Sequence, residues 1–229
     1  MCAIIGAYLN DPTASDLDTV KRVFLESRIR GMHATGISWV ADGKVNTIKE
    51  PIPANEFIDK HMQDMTQYLD GGNLMMVGHC RYSTSDLQYN QPIANQSVSV
   101  VHNGVVTQEP PSNWETLYGY ECATRNDTEL LLHTIAEGEC VLRSWAQSSL
   151  SVIELHEDQM IFYRNGKRPM WLTSLENGSI ITSTKNVPLR AEVGGTPTQI
   201  PMNVRFKLTP DFTKTIEKVE IDGAVDYQS

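Results

Sequence analysis

The sequence predicts an α+β protein built on mainly antiparallel sheets. Alternating apolar segments flank Asp42-Gly43, Asn165-Gly166 and Asn177-Gly178, the residue pairs of tight hairpin turns. Helical periodicity falls in pairs between groups of strands and does not follow every strand, which argues against a doubly wound parallel sheet. No repeat, low-complexity tract or linker divides the 229 residues, so one domain over 1–229 is expected.

The elements follow in order. Cys2–Leu9 reads as a first strand, with Ala3, Ile4 and Ile5 buried and Gly6 allowing close backbone approach. Ser15 or Asp16 can cap a helix running to about Arg30, with Leu17, Val20, Val23, Phe24 and Ile29 near helical spacing and Gly31 as its stop. Thr35–Ala41 and Lys44–Lys49 make a hairpin across Asp42-Gly43. Asn55 to Leu69 reads as an amphipathic helix stopped by Gly71-Gly72, and Asn73–Tyr82 as an apolar strand. A polar loop, Ser83 to Gln96, leads to a strand over Ser97–His102 that runs straight into Asn103-Gly104. After a loop with Pro110-Pro111 come a helix over Thr128 to Ala136 and a shorter one over Glu139–Ala146. The remainder reads as strands: Ser149–Leu155, Gln159–Arg164, Met170–Ser174, Ser179–Thr184, and segments around Arg205–Leu208 and Thr215–Val219.

Composition narrows the function. A net charge of −9, from 19 basic and 28 acidic residues, argues against nucleic-acid binding, which needs a basic surface. No stretch approaches the ~18 apolar residues of a membrane span, and no leader pattern opens the chain. Cys2, Cys80, Cys122 and Cys140 include no pair at the spacing of a zinc knuckle or redox motif, so no metal is expected. Reduced thiols in a cytoplasmic protein are the expectation.

Cys2 carries the chemistry. Removal of Met1 would leave a thiol and a free α-amine on one residue. The amine titrates at ~7.7–8.0 and a thiol at ~8.5, so the amine can take the thiol proton near neutral pH. Position alone favours the plainer reading, a frayed terminal residue. Arg81 ends an apolar strand, where its fork suits a carboxylate; a structural salt bridge is the commoner fate. The Asn103 amide and Gly104 N–H could form an oxyanion hole or an ordinary turn. Asp127 could cap a helix or hold an ammonium group. His79 and His102 read as structural hydrogen-bonders, because Cys2 would supply its own base. A papain-like use of Cys80 is disfavoured by its mid-strand position away from any helix N-terminus.

Several motifs stand in a telling order: Cys2, Arg30-Gly31 with Thr35-Gly36-Ile37, Gly78-His79-Cys80-Arg81-Tyr82-Ser83-Thr84, Asn90-Gln91-Pro92, His102-Asn103-Gly104 and Asp127-Thr128-Glu129. Together they resemble the class II glutamine amidotransferase domain, an N-terminal-nucleophile hydrolase, and most closely the glutaminase domain of amidophosphoribosyltransferase. Gly166-Lys167-Arg168-Pro169 and Thr182-Ser183-Thr184 extend the resemblance over nearly the whole chain. It implies a four-layer αββα sandwich. It implies catalysis by Cys2, with Asn103 and Gly104 at the oxyanion. Arg81 would bind the glutamine carboxylate with Thr84 beside it, Tyr82 would shape the pocket, and Asp127 would bind the ammonium. The sequence departs from the family at Ser85-Asp86, where a glycine is usual, and at Val105-Val106-Thr107, where an asparagine is usual.

The expected function is hydrolysis of L-glutamine through a Cys2 thioester, with no cofactor. Ammonia would pass to a separate synthase protein, since the resemblance extends to no synthase domain within the chain. Oligomerisation is left open. The alternatives are a hydrolase of γ-glutamyl or other amides on the same scaffold, and a non-catalytic glutamine-binding relative.

Overall fold

The computed structural model describes residues 2–83, 87–209 and 214–227. Strand β1 (Ala3–Asn10) leads into helix α1 (Ala14–Ser27), then a 3-10 turn, Arg28–Arg30. β2 (Ala34–Ala41) and β3 (Lys44–Glu50) form the predicted hairpin, with Asp42 and Gly43 both at positive φ. Next come α2 (Ala54–His61), β4 (Leu69–Asp70), β5 (Asn73–Arg81), β6 (Ile93–Ala94), β7 (Val98–His102) and α3 (Trp114–Tyr118). Then follow α4 (Thr128–Ala136), α5 (Val141–Ser144), β8 (Ser151–His156), β9 (Met160–Arg164), β10 (Trp171–Leu175) and β11 (Gly178–Thr182). The last elements are α6 (Asn186–Arg190), β12 (Thr198–Gln199), β13 (Val204–Leu208) and β14 (Lys214–Lys218).

Two antiparallel sheets result. One has the order β12-β10-β11-β1-β5-β2-β3, with β4 paired to β5; the other runs β14-β13-β9-β8-β7-β6. Three apolar layers hold them together. Along β1 the odd residues Ala3, Ile5, Ala7 and Leu9 pack against α1, α2 and α6. The even residues Ile4 and Tyr8 face the second sheet, meeting Ile153, Phe162 and Leu155. The period of two thus buries both faces of one strand. Gly6 leaves no room for a side chain: a Cβ there would sit 2.9 Å from Ile181 on the adjacent strand and 3.2 Å from Ile153 of the other sheet. The far face of the second sheet packs Val100, Val152 and Tyr163 against Trp114, Leu130 and Leu131. The layers are therefore helix, sheet, sheet, helix, as the resemblance implied.

Some sequence expectations shift. Thr13 is the N-cap of α1, since its hydroxyl accepts the Asp16 N–H while the Asp16 carboxylate accepts the Thr13 N–H in a capping box. Gly31 does not serve as a left-handed cap; a Cβ there would lie 2.2 Å from the Cys80 carbonyl oxygen. The helix expected over Asn55 to Leu69 stops at His61, and Met65–Tyr68 forms a separate 3-10 turn. Asn165-Gly166 is no hairpin: it carries the chain from β9 in one sheet to β10 in the other. Asn165 instead braces that corner, accepting the Leu150 N–H and donating to the Ser148 carbonyl. The β10–β11 hairpin turns on Glu176-Asn177, with Leu175 opposite Gly178.

The end of the described chain folds back over this corner. Arg164, 1 % exposed, grips Asp226 through Nη1 at 3.1 Å and Nη2 at 2.7 Å. The Tyr227 N–H donates to the Gly166 carbonyl at 2.8 Å.

Candidate active site

Cys2 sits just ahead of β1, half-buried at one end of the first sheet. Its neighbour Ala3 pairs with Cys80, so the residue after Cys80, Arg81, ends β5 at the same edge. Two bonds fix the approach to Cys2. The Ile4 N–H donates to Ser183 Oγ at 2.9 Å, and Arg30 Nε donates to the Cys2 carbonyl at 3.1 Å. Burial lowers the Arg30 pKa; nearby Cys2 opposes that shift and Arg168 adds to it. The Cys2 Sγ lies 3.9 Å from the Tyr82 carbonyl. Cys80 has no access to solvent, and burial, with Cys2 adding to it, pushes its thiol up to about 12. A thiol so buried is inert, which leaves Cys2 as the nucleophile candidate.

β7 in the second sheet delivers His102, Asn103 and Gly104. His102 donates from Nε2 to the Ser149 carbonyl at 2.9 Å, and its N–H donates to Gln91 Oε1 at 2.6 Å. Asn103 is 3 % exposed, and its N–H donates to the Ser151 carbonyl. Its side-chain Nδ2 is buried with no partner among the described residues. Buried amides are nearly always paired, so an orphan of this kind calls for a ligand or a water. Gly104 has φ +155°, and a Cβ on it would lie 1.8 Å from the Ser149 oxygen, so no other residue fits.

Arg81 points one nitrogen at the chain. Nη1 donates to the Tyr89 carbonyl at 2.9 Å and to Asn90 Oδ1 at 2.7 Å. It makes no ion pair among the described residues, so the structural salt bridge is not its role there. Lys49 pins the same turn, donating to the Asn90 and Pro92 carbonyls, each at 2.8 Å. Asp127 occupies the N-cap position of α4 without capping it. Its Oδ2 instead accepts the Val106 N–H at 2.7 Å, which ties the helix start to the loop after Gly104. Asn126 Nδ2 donates to the Tyr89 carbonyl that also serves Arg81.

Burial lowers the His102 pKa, with Asp127 the strongest opposing charge and Arg168 adding to the lowering. Arg168 therefore lies near both Arg30 and His102. These links gather Cys2, Arg81, Asn103, Gly104 and Asp127 at one end of the sheets. Tyr82 is 51 % exposed at the rim, its ring 4.9 Å from His33. Thr84 lies outside the described residues.

His79 differs from expectation: both ring nitrogens are buried without a partner among the described residues. Sequence reasoning missed the supports, Lys49, Arg30, Ser183 and Gln91. Arg30, Gln91 and Ser183 stood inside recognised motifs; Lys49 gave no local signal.

Two stacked antiparallel sheets between helices, with β1 as a central strand, make a four-layer αββα sandwich. Solved structures share it. Glutamine phosphoribosylpyrophosphate amidotransferase from B. subtilis superposes with a TM-score of 0.72 at 18 % identity, over 95 % of this chain and 49 % of that one. The allosteric regulatory enzyme of purine biosynthesis gives 0.70 at 19 % identity, over 95 % and 49 %. A glutamine aminotransferase class-II domain protein from Silicibacter pomeroyi gives 0.55 at 11 % identity, over 95 % and 99 %. At these identities the likeness is one of fold, and the chain spans about half the length of the first two. No family model and no curated protein sequence matches the chain.

Proposed function

We propose that this protein is a glutaminase of the class II glutamine amidotransferase type. Removal of Met1 frees the Cys2 α-amine. The amine takes the thiol proton, and Sγ attacks the side-chain carbonyl carbon of L-glutamine. Asn103 Nδ2 and the Gly104 N–H hold the oxyanion as it forms. The amine then passes its proton to the leaving nitrogen, ammonia departs, and a thioester remains on Cys2. Water attacks that thioester and releases glutamate. Arg81 takes the substrate carboxylate, a task the resemblance shares with Thr84, and Asp127 takes its ammonium, while Tyr82 shapes the pocket. An acceptor synthase on a separate protein is the proposed destination of the ammonia, and a reducing cytoplasm the proposed setting.

The observation that carries this reading is the orphaned Asn103 Nδ2. A donor left unpaired in a buried site stabilises nothing in the resting protein and suits charge that develops only during reaction. Intact mass before and after incubation with diazo-oxo-norleucine, a glutamine-mimicking electrophile, tests it. The expected protein lacks Met1 and gains one adduct, lost on Cys2→Ala. Retained Met1 with no adduct rejects the mechanism. Glutaminase turnover that is fast and indifferent to any synthase would reject the partner.

A further inference from the structure

We infer that Cys122, Glu129 and His133 form a binding site for one divalent zinc ion, standing independently of the glutaminase reading. The Cys122 Sγ, a Glu129 carboxylate oxygen and a His133 ring nitrogen all lie within 4.8 Å of one another. Glu129 and His133 are one turn apart on α4, hence on one face, and Cys122 comes from the loop before it. Ligand atoms around tetrahedral zinc lie roughly 3.2–3.8 Å apart, from bonds of about 2.0–2.3 Å. Small side-chain rotations close that gap.

The surroundings fit a ligand set better than a hydrogen-bond cluster. His133 Nε2 is shut off from solvent and has no hydrogen-bond partner among the described residues. Its distance to Glu129 Oε1 is 3.9 Å, too long for a hydrogen bond. Its ring is braced by stacking on Tyr120, with centroids 5.0 Å apart. The Glu129 carboxylate, in a residue 7 % exposed, is oriented by the Ala123 N–H at 2.8 Å on Oε1 and by the Thr124 N–H at 2.7 Å and hydroxyl at 2.5 Å on Oε2, which leaves Oε1 a free lone pair. Metal-binding carboxylates are held in this way by outer hydrogen bonds.

One sulfur, one nitrogen and one oxygen select zinc over magnesium or calcium, with water completing the tetrahedron. On binding, the S–H bond breaks, an S–Zn bond forms and one proton goes to solvent. The thiolate and carboxylate then balance the ion's two charges. The ion would clamp the loop that leads to Asn126 and Asp127.

Cobalt(II) is the probe, titrated into Cys2→Ala protein so that the Cys2 thiol does not compete. The expected result is one equivalent bound per chain, with a thiolate-to-cobalt charge-transfer band, tetrahedral visible bands, and displacement by zinc. Cys122→Ser should lose the charge-transfer band, and His133→Gln should bind at least about tenfold more weakly. Zinc should also protect Cys122 from alkylation, read by peptide mass, which decides the matter even if a variant fails to fold. Absence of the band in Cys2→Ala protein, its survival in Cys122→Ser, unchanged affinity in His133→Gln, or unprotected Cys122 would each overturn the site.

Discussion

Asn103→Ala separates chemistry from structure in a way few active-site changes do. The side-chain amide contributes no protein hydrogen bond through Nδ2, so its loss orphans no partner. The backbone bond from the Asn103 N–H to the Ser151 carbonyl at 2.9 Å survives the change. Stability should therefore move by no more than about 1 kcal/mol, or roughly 2–4 °C in Tm for a chain of this size. Loss of an oxyanion donor, by contrast, lowers kcat roughly 100- to 1,000-fold, about 2.7–4 kcal/mol of transition-state stabilisation. KM should hardly change, because the bond is made only as the oxyanion forms. Steady-state glutamine hydrolysis and a thermal melt on the same preparation read both quantities. A kcat within tenfold of the parent would refute the oxyanion assignment. A melt lowered by 8 °C or more, at about 2 kcal/mol, would make Asn103 a structural residue whose activity loss follows from unfolding.

Further outcomes are expected elsewhere. Lys49→Met should raise KM for glutamine and cost about 2–3 kcal/mol in urea denaturation, because two carbonyls at 2.8 Å lose the ammonium that fixes the Arg81 turn. Burial drops the His79 pKa to about 3, so below pH 6.5 the unfolded chain takes up a proton that the folded chain refuses. That contribution to stability is complete above pH 6.5 and is lost as pH falls toward 3. Between pH 7 and 5 the parent should lose about 2 kcal/mol more than His79→Phe, and equal losses would remove His79 from the account. Asp226→Ala strands the buried Arg164 guanidinium and should destabilise by about 3 kcal/mol in the same urea assay.

Local signals were the legible ones. The apolar face of α4 and its polar start gave Thr128–Ala136 at the observed bounds, and Asp42-Gly43 gave a true hairpin. α2 was overread because Met62, Met65 and Leu69 continue a helical spacing. The chain leaves the helix there as Asp64 accepts the Thr66 N–H and the Tyr68 hydroxyl donates to the His61 carbonyl. α3 and α6, each of five residues, are too short to show a period. Within the site, Cys2, Arg81, Asn103 and Gly104 stood out as residue types at strand ends. Their supports did not, since Lys49 reaches 41 residues to Asn90 and Ser183 reaches 179 residues back to Ile4. No window along the chain contains such pairs, and only closure of the sheets brings them together.

The central place of β1 sets a timetable for synthesis. Its two neighbours are β5 and β11, with Ile5 opposite both Gly78 and Thr182. A strand seated between such distant partners cannot be enclosed until residue 182 has left the ribosome, and pairings of this range close slowly. During that interval β1 lacks its second neighbour and the Ser183 hydroxyl that fixes the approach to Cys2, which favours access by the peptidase that would trim Met1. Once β11 docks, the Ile4 N–H is held by Ser183. Ribosome-bound chains stalled before residue 178 should thus let bulky maleimides alkylate Cys2 faster than the finished fold does, where Cys2 is half-buried. Trimming would then belong to the nascent chain, and the finished fold would arrive with its terminus already prepared.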